Sequence, residues 1–207
     1  MKRGTKVKVC GITNREDAEV AVSGGADYLG FNFYPLSPRY VDPDTVRSIM
    51  FDLRGLVQTV GVFVNEHADT IEEICDRAGI EIIQLHGNEG AAFCRRLVRP
   101  VIKAFPLSER SDLSGMKEFH TWGHLVDSRT SGYGGSGVTV DWELAVEARD
   151  SCEKLWLAGG LDAENVREAI QTVKPWGVDA ASRIESEPGK KDHQKMLDFL
   201  KAVKDAD

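Results

Sequence analysis

The chain has 207 residues, and 26 lysines and arginines against 33 aspartates and glutamates give it a net charge of −7. An acidic chain argues against nucleic acid as a partner, because a phosphate backbone requires a basic face. With 42% hydrophobic residues and no apolar run of 18, the composition predicts one globular domain over residues 1–207 and no membrane partner.

Short apolar or β-branched runs alternate with amphipathic stretches along the whole chain. Strands are predicted at residues 7–10, 28–33, 57–64, 81–85, 101–105, 124–127, 155–157 and 178–181. Helices are predicted after a cap at Thr13 or Asn14, after Asp42-Pro43, and at residues 68–78, 88–98, 111–119, 142–148, 163–173 and 191–203, with Asp162 capping the seventh.

Eight strand–helix units in order predict a parallel sheet with right-handed crossovers, and eight such units close into a (β/α)₈ TIM barrel. The alternative is an open doubly wound sheet. The count of eight and the lack of a GxGxxG turn after the first strand both favour the barrel.

The four cysteines, Cys10, Cys75, Cys94 and Cys152, show no CxxC spacing and no zinc-type cluster with histidines. No apolar leader segment precedes the first strand. We therefore expect free thiols, no metal site and a reducing, cytoplasmic location.

Active sites of barrels lie at the carboxyl ends of the strands, so the residues at those ends are the candidates for chemistry. Cys10 ends the first strand and Asp127 ends the sixth. A thiolate and a carboxylic acid facing each other across the barrel mouth can move protons on one substrate. The alternative for Cys10 is a small core residue, and for Asp127 a loop-capping carboxylate.

Glycine-rich turns follow the last three strands, at Gly134-Gly135-Ser136-Gly137, at Gly159-Gly160 and near Ser182. Because glycine lets the backbone approach an anion closely, this order predicts a phosphate site, although each turn alone is ordinary turn chemistry.

Two further polar residues occupy the middle strands. Lys103, if it points into the barrel, is either a Schiff-base nucleophile or a salt-bridged structural group, and we favour the structural role. His86 is either an acid–base group or a packing residue. The four tryptophans are interpreted as packing residues.

These residues lie in motifs by which the chain resembles the phosphoribosylanthranilate isomerase family over nearly its whole length. The motifs are Lys8-Val9-Cys10-Gly11-Ile12-Thr13, Gly30-Phe31-Asn32-Phe33-Tyr34, Ser37-Pro38-Arg39-Tyr40, Gly61-Val62-Phe63-Val64-Asn65, Gln84-Leu85-His86-Gly87, Leu125-Val126-Asp127-Ser128, Tyr133-Gly134-Gly135-Ser136-Gly137, Ala158-Gly159-Gly160-Leu161, Glu164-Asn165-Val166 and Pro188-Gly189-Lys190-Lys191-Asp192.

The resemblance implies an Amadori rearrangement in tryptophan biosynthesis, from N-(5′-phosphoribosyl)anthranilate to 1-(2-carboxyphenylamino)-1-deoxyribulose 5-phosphate, without a metal or organic cofactor. It implies Cys10 as general base and Asp127 as general acid. It further implies substrate binding by Arg39, Gln84, His86 and Asp179, and phosphate binding by Gly135, Gly159, Gly160, Ser182 and Arg183.

One position departs from the family pattern. After the eighth strand the family has Asp-Val-Ser-Ser-Gly-Val-Glu, whereas this chain has Arg183 in place of the glycine. We expect Arg183 either to turn toward solvent or to add a charged contact to the phosphate.

Three alternatives remain from the sequence. They are a related or dual-substrate Amadori isomerase of histidine biosynthesis, a lyase that uses Lys103 covalently, and a non-catalytic barrel that binds a phosphorylated ligand. The chain is expected to be a monomer or a homodimer.

Overall fold

The computed structural model describes residues 4–127 and 141–206 of the chain. Eight parallel strands pair in sequence order and close into a barrel, because β8 pairs with β1. The barrel strands are β1 (Lys6–Cys10), β2 (Tyr28–Asn32), β3 (Gln58–Phe63), β4 (Ile82–Leu85), β5 (Val101–Pro106), β6 (Gly123–Asp127), β7 (Leu155–Leu157) and β8 (Gly177–Ala180). The predicted (β/α)₈ barrel is confirmed.

The helices alternate with the strands. They are α1 (Arg15–Ser23), α2 (Pro43–Ile49), α3 (Ala68–Ala78), α4 (Ala91–Cys94), α5 (Asp112–Met116), α6 (Trp142–Arg149), α7 (Val166–Val173) and α8 (His193–Lys204). Between β8 and α8 lie a 3₁₀ turn (Ser182–Ile184) and a small hairpin of β9 (Glu185–Glu187) and β10 (Lys190–Lys191), which the sequence patterns do not predict. None of the described helices has the length and apolar character needed to cross a bilayer.

Two predicted helix starts are correct and are set by side-chain caps. The Asn14 side chain accepts from the backbone N–H of Asp17, and Asp42 accepts from the N–H groups of Asp44 and Thr45. Both caps satisfy donors that an α-helix leaves without an internal partner.

The fourth helix is much shorter than predicted, four residues at Ala91–Cys94 instead of residues 88–98. The reason for the later start is Glu89, whose carboxylate accepts from the backbone N–H groups of Asn65 and Gly87 and pairs with Lys103. Because Glu89 joins two loops in this way, the residues around it do not adopt helical geometry.

The seventh helix also starts later than predicted. Its cap residue is Asn165, whereas the Asp162 carboxylate accepts from the N–H groups of Glu164 and Asn165 within the preceding turn. Asp162 therefore stabilises the loop after β7 and does not cap α7.

Successive residues of a strand point to opposite faces of the sheet, so one alternate set fills the barrel interior and the other packs against the helices. Tyr28, Val60, Ile82, Ile102, Ala104, Leu125, Trp156 and Ala158 form an inner cluster, distinct from the larger core between strands and helices. On β1, Val7 and Val9 belong to the outer core, so the intervening Lys8 and the terminal Cys10 face inward.

The amino end of the barrel is closed by four rings, Tyr28, Trp122, Trp156 and Trp176, which we call the aromatic floor. Their centroids lie 4.9 to 6.5 Å apart in edge-to-face or tilted contacts, arrangements that add to the stabilisation from burial. The Lys154 ammonium lies 4.3 Å from the centroid of Trp122. These three tryptophans are packing residues, as expected.

Candidate active site

A cavity of about 440 Å³ opens at the carboxyl ends of the barrel strands, where the fold class predicts an active site. All of the predicted site residues in the described part of the chain line it: Cys10, Arg39, Gln84, His86, Asp127, Gly159, Gly160, Asp179, Ser182 and Arg183. Gly135, the remaining predicted phosphate residue, lies outside the described residues.

Cys10 ends β1 on the inner face and is partly exposed to this cavity. Burial raises the pKa of its thiol, and the positive charges of Lys8, Lys191 and Arg39 oppose that shift. The thiol form therefore predominates at neutral pH, while three nearby cations favour the thiolate once it forms.

The space for the thiol is provided by Gly30 on the neighbouring strand. A Cβ atom at position 30 would lie 2.7 Å from Sγ of Cys10, closer than packed atoms allow, and in a tight contact of 3.1 Å with Cε of Lys8. A glycine in β2 is thus required by the side chains of β1.

We predict that Gly30→Ala displaces the thiol and lowers kcat, and that the overpacking costs about 1–3 kcal/mol of stability. The matched control is Gly90→Ala, since a Cβ there meets no atom within 4 Å. Steady-state kinetics and denaturant unfolding of both variants check this. Equal activity in the two variants would show that a Cβ atom at position 30 can be accommodated without displacing the Cys10 thiol.

Asp127 ends β6 and lies opposite His86, with 3.8 Å between Nε2 of His86 and Oδ2 of Asp127. Burial, together with the charges of Lys8 and Lys103, lowers the pKa of His86 to about 3. His86 is therefore neutral at physiological pH, and it faces Asp127 as a polar but uncharged side chain.

Arg39 is held at the cavity wall by a bidentate ion pair with Glu185. Nε and Nη2 of Arg39 donate to the two carboxylate oxygens at 2.9 and 2.7 Å. Nζ of Lys191 donates to the same carboxylate at 2.9 Å. Burial alone would raise the pKa of Glu185, but the bonds from Arg39 and Lys191 outweigh it and lower that pKa. Two cations against one carboxylate leave this wall with a net positive charge.

The loops directly after β7 and β8 form a second wall, which adjoins the first. Gly159 and Gly160 have positive φ angles of 84° and 61°, a conformation that glycine adopts without strain. Ser182 begins the 3₁₀ turn, and Nη1 of Arg183 pairs with Oδ2 of Asp162 at 3.2 Å. Arg183 thus lies on the cavity rim and links the two loops, and it is exposed, with a side-chain relative accessibility of 47%. This agrees with the solvent-facing alternative, and a contact with the phosphate stays a prediction.

Lys103 does not line this cavity. Its neighbours on β5, Ile102 and Ala104, belong to the inner cluster, so Lys103 faces the helices and not the barrel interior. Its Nζ donates to the carbonyl oxygen of Gly87 at 2.7 Å and to Glu89 at 3.0 Å. The structural interpretation is therefore correct, and the covalent lyase alternative loses its nucleophile.

Three residues of the site were missed from the sequence: Lys8, Glu185 and Lys191. The signal for Lys8 was available, since it precedes Cys10 by two residues and therefore shares its face of the strand. Glu185 and Lys191 carried no such signal, because the hairpin that presents them was not predicted.

Within residues 4–127 and 141–206, no group of three or more His, Cys, Asp or Glu side chains could hold a metal ion.

A closed eight-stranded barrel with a polar cavity at the carboxyl ends of its strands defines a (β/α)₈-barrel enzyme. The family model described as N-(5′-phosphoribosyl)anthranilate (PRA) isomerase matches residues 7–202. The chain belongs to this family and is an isomerase.

Individual relatives agree with this assignment. The N-(5′-phosphoribosyl)anthranilate isomerase of Thermotoga neapolitana is 45% identical over 201 residues, which cover 96% of this chain and 98% of the relative. That of Geotalea uraniireducens is 44% identical, covering 97% and 98%. The crystal structure of the Thermotoga maritima enzyme superposes with a TM-score of 0.91 at 44% identity, covering 97% of this chain and 99% of the other.

Proposed function

We propose that this isomerase carries out the Amadori rearrangement of N-(5′-phosphoribosyl)anthranilate in tryptophan biosynthesis, with Cys10 as general base and Asp127 as general acid. The observation that carries the proposal is that a thiol and a carboxyl group from opposite sides of the barrel line one cavity. A solved relative in complex with reduced 1-(o-carboxyphenylamino)-1-deoxyribulose 5-phosphate, 40% identical with a TM-score of 0.87, supports the substrate class.

The two proton transfers proceed in order. Asp127 gives its proton to the ribose ring oxygen as the bond from that oxygen to C1′ breaks, and the anthranilate nitrogen forms a Schiff base with C1′. Cys10, as thiolate, then removes the C2′ proton, and the resulting enolamine tautomerises to the ketone. Each transfer typically accelerates a reaction by about 10²–10⁴-fold.

The substrate carries two anionic groups, and the cavity offers a wall for each. The net positive wall of Arg39, Lys191 and Glu185 suits the anthranilate carboxylate. Arg39 is its proposed partner through the outer Nη1–Nη2 edge of the guanidinium, because Nε and one N–H of Nη2 already donate to Glu185. Gly159, Gly160, Ser182 and Arg183, with Gly135 from the loop after β6, are the proposed phosphate residues on the other wall. Gln84, His86 and Asp179 are proposed to face the sugar.

We predict that Arg183→Gly raises KM for the phosphorylated substrate more than it lowers kcat, because it removes a cation that would act on the bound phosphate in ground and transition states alike. The variant also restores the residue of the family pattern, so it should fold. Initial rates over a range of substrate concentrations give both constants. A collapse of kcat at unchanged KM would contradict a role in phosphate binding.

For the assembly and location of the protein, we propose a single domain over residues 1–207, a monomer or homodimer, and a cytoplasmic enzyme without a nucleic acid partner. A homodimer is supported by a Thermotoga maritima relative described as dimeric. The four free cysteines support a reducing compartment.

The function is tested by following the loss of fluorescence of phosphoribosylanthranilate with the purified wild-type protein. The aminoaldose substrate of the histidine-pathway isomerase is assayed in parallel. Turnover of the first and not the second is expected; the histidine-pathway alternative relies on a pair of aspartates where this chain has Cys10 and Asp127. Turnover of only the second, or of neither, would overturn the proposal.

A further inference from the structure

A buried lysine that neither gives nor takes a proton in the proposed mechanism, Lys8, lies at the centre of the barrel just below the cavity. Its side chain is fully buried, and its Nζ donates to Oδ2 of Asp179 at 2.6 Å and to Oε1 of Gln84 at 2.7 Å. A buried ammonium is costly unless it is paired, so these two contacts hold it firmly. Lys8 thereby joins β1, which carries Cys10, to β4 and β8.

The contact with Lys8 fixes the orientation of the Gln84 amide. An ammonium donates hydrogen bonds and cannot accept them, so the Gln84 atom facing it must be the carbonyl oxygen. The amide nitrogen then points the other way, and it lies 3.1 Å from Nδ1 of His86. Because an amide N–H₂ only donates, Nδ1 must accept.

The tautomer of His86 follows from this. A neutral imidazole has one donor and one acceptor nitrogen, so a lone pair on Nδ1 places the proton on Nε2. Burial and the charges of Lys8 and Lys103 keep the ring neutral by lowering its pKa to about 3. Nε2 is the atom that lies 3.8 Å from Oδ2 of Asp127.

We infer that Lys8 is a positioning residue, which through Gln84 selects the Nε2–H tautomer of His86 and so directs an N–H group toward the carboxyl of Asp127. The inference rests on the proposed roles of Cys10 and Asp127.

The chemical consequence concerns the moment at which Asp127 releases its proton. The carboxyl then becomes an anion, and an N–H group that already faces it, 3.8 Å away, stabilises the charge that develops. The other tautomer would face Asp127 with a lone pair, which favours the protonated carboxyl and opposes the transfer. The same ammonium favours the thiolate of Cys10, so one buried charge assists both proton transfers.

The test is Gln84→Glu. A glutamate keeps an oxygen for Lys8 but presents a second acceptor to Nδ1, so His86 must carry a proton on Nδ1. Nitrogen-15 NMR of labelled imidazoles distinguishes the two protonation states, and the His86 signals are assigned by their loss in His86→Gln. Gln84→Met, which removes the donor but leaves Lys8 paired with Asp179, serves as a second variant should the glutamate fail to fold.

The matched control is Lys103→Met. It removes the other lysine charge that acts on His86 and, with it, the bonds to the carbonyl oxygens of Leu85 and Gly87, but Lys103 has no hydrogen bond to Lys8 or Gln84. The control should keep the wild-type nitrogen-15 pattern of His86, whatever its effect on stability.

We expect wild-type His86 to show an unprotonated Nδ1 and a protonated Nε2. Gln84→Glu should show a protonated Nδ1, and Gln84→Met a mixture of tautomers. Both should lower kcat by about 10–100-fold, the range typical for substitution of a residue that orients a metal-bound histidine through a hydrogen bond to its other ring nitrogen. A wild-type protein with the proton on Nδ1, or a Gln84→Glu variant with the wild-type pattern or wild-type kcat, would overturn the inference.

This result is separable from the test of the proposed roles. If Asp127→Asn and Cys10→Ser lose activity while the Gln84 variants keep theirs, the acid–base roles stand and the inference fails. If Asp127→Asn retains full activity, both fail, regardless of the NMR pattern.

Discussion

Asp127→Asn is expected to lower kcat/KM by about 10²–10⁴-fold, the contribution of one general acid. Asparagine has nearly the same shape as aspartic acid, but its amide does not release a proton to the ribose ring oxygen. Since the leaving ring oxygen would depart without a proton, ring opening becomes the slow step. The fluorescence assay for phosphoribosylanthranilate measures the loss directly.

A suitable control for this variant is Asp42→Asn, at the start of α2. Asparagine is as good a helix cap as aspartate, and Asp42 does not line the cavity. The control should keep the wild-type rate, and circular dichroism should show that both variants are folded. Wild-type kcat/KM in Asp127→Asn would remove the carboxyl group from the mechanism.

Cys10→Ser is expected to have an effect of similar size, about 10²–10⁴-fold in kcat. The hydroxyl of serine ionises far less readily than a thiol, so the variant lacks a base strong enough to take the C2′ proton. KM should change little, because the smaller oxygen atom fits the space beside Gly30 and removes no contact to either anionic group of the substrate.

The control for the base is Cys152→Ser, a partly buried cysteine whose Sγ lies 3.8 Å from the carbonyl oxygen of Ala148, away from the cavity. It makes the same atomic change without touching the site. Equal rates for Cys10→Ser and Cys152→Ser would show that another group accepts the proton.

The sequence predicted the barrel and the residues at the ends of its strands for a definite reason. Strand periodicity and strand ends are local properties, and in a parallel barrel they determine which side chains meet at one rim. Cys10 and Asp127, 117 positions apart, were brought together by this reasoning alone, and the structure places both in one cavity.

The errors arose where distant partners decide the local geometry. Lys8 contacts residues 76 and 171 positions away, and no local pattern shows such contacts. Glu89 keeps residues 88–90 out of the predicted helix because its partners lie on two other segments. The direction of Lys103 depended on the register of β5 within the barrel, which the sequence did not determine.

The aromatic floor has a consequence for how such a protein can change over generations. None of its four rings lines the cavity, so the contacts that keep the barrel folded at one end share no side chain with the groups that select and convert the substrate at the other. Loops at the rim can therefore be exchanged or lengthened without disturbing the ring contacts of the aromatic floor. New substrate preferences become accessible through a few substitutions that the scaffold tolerates.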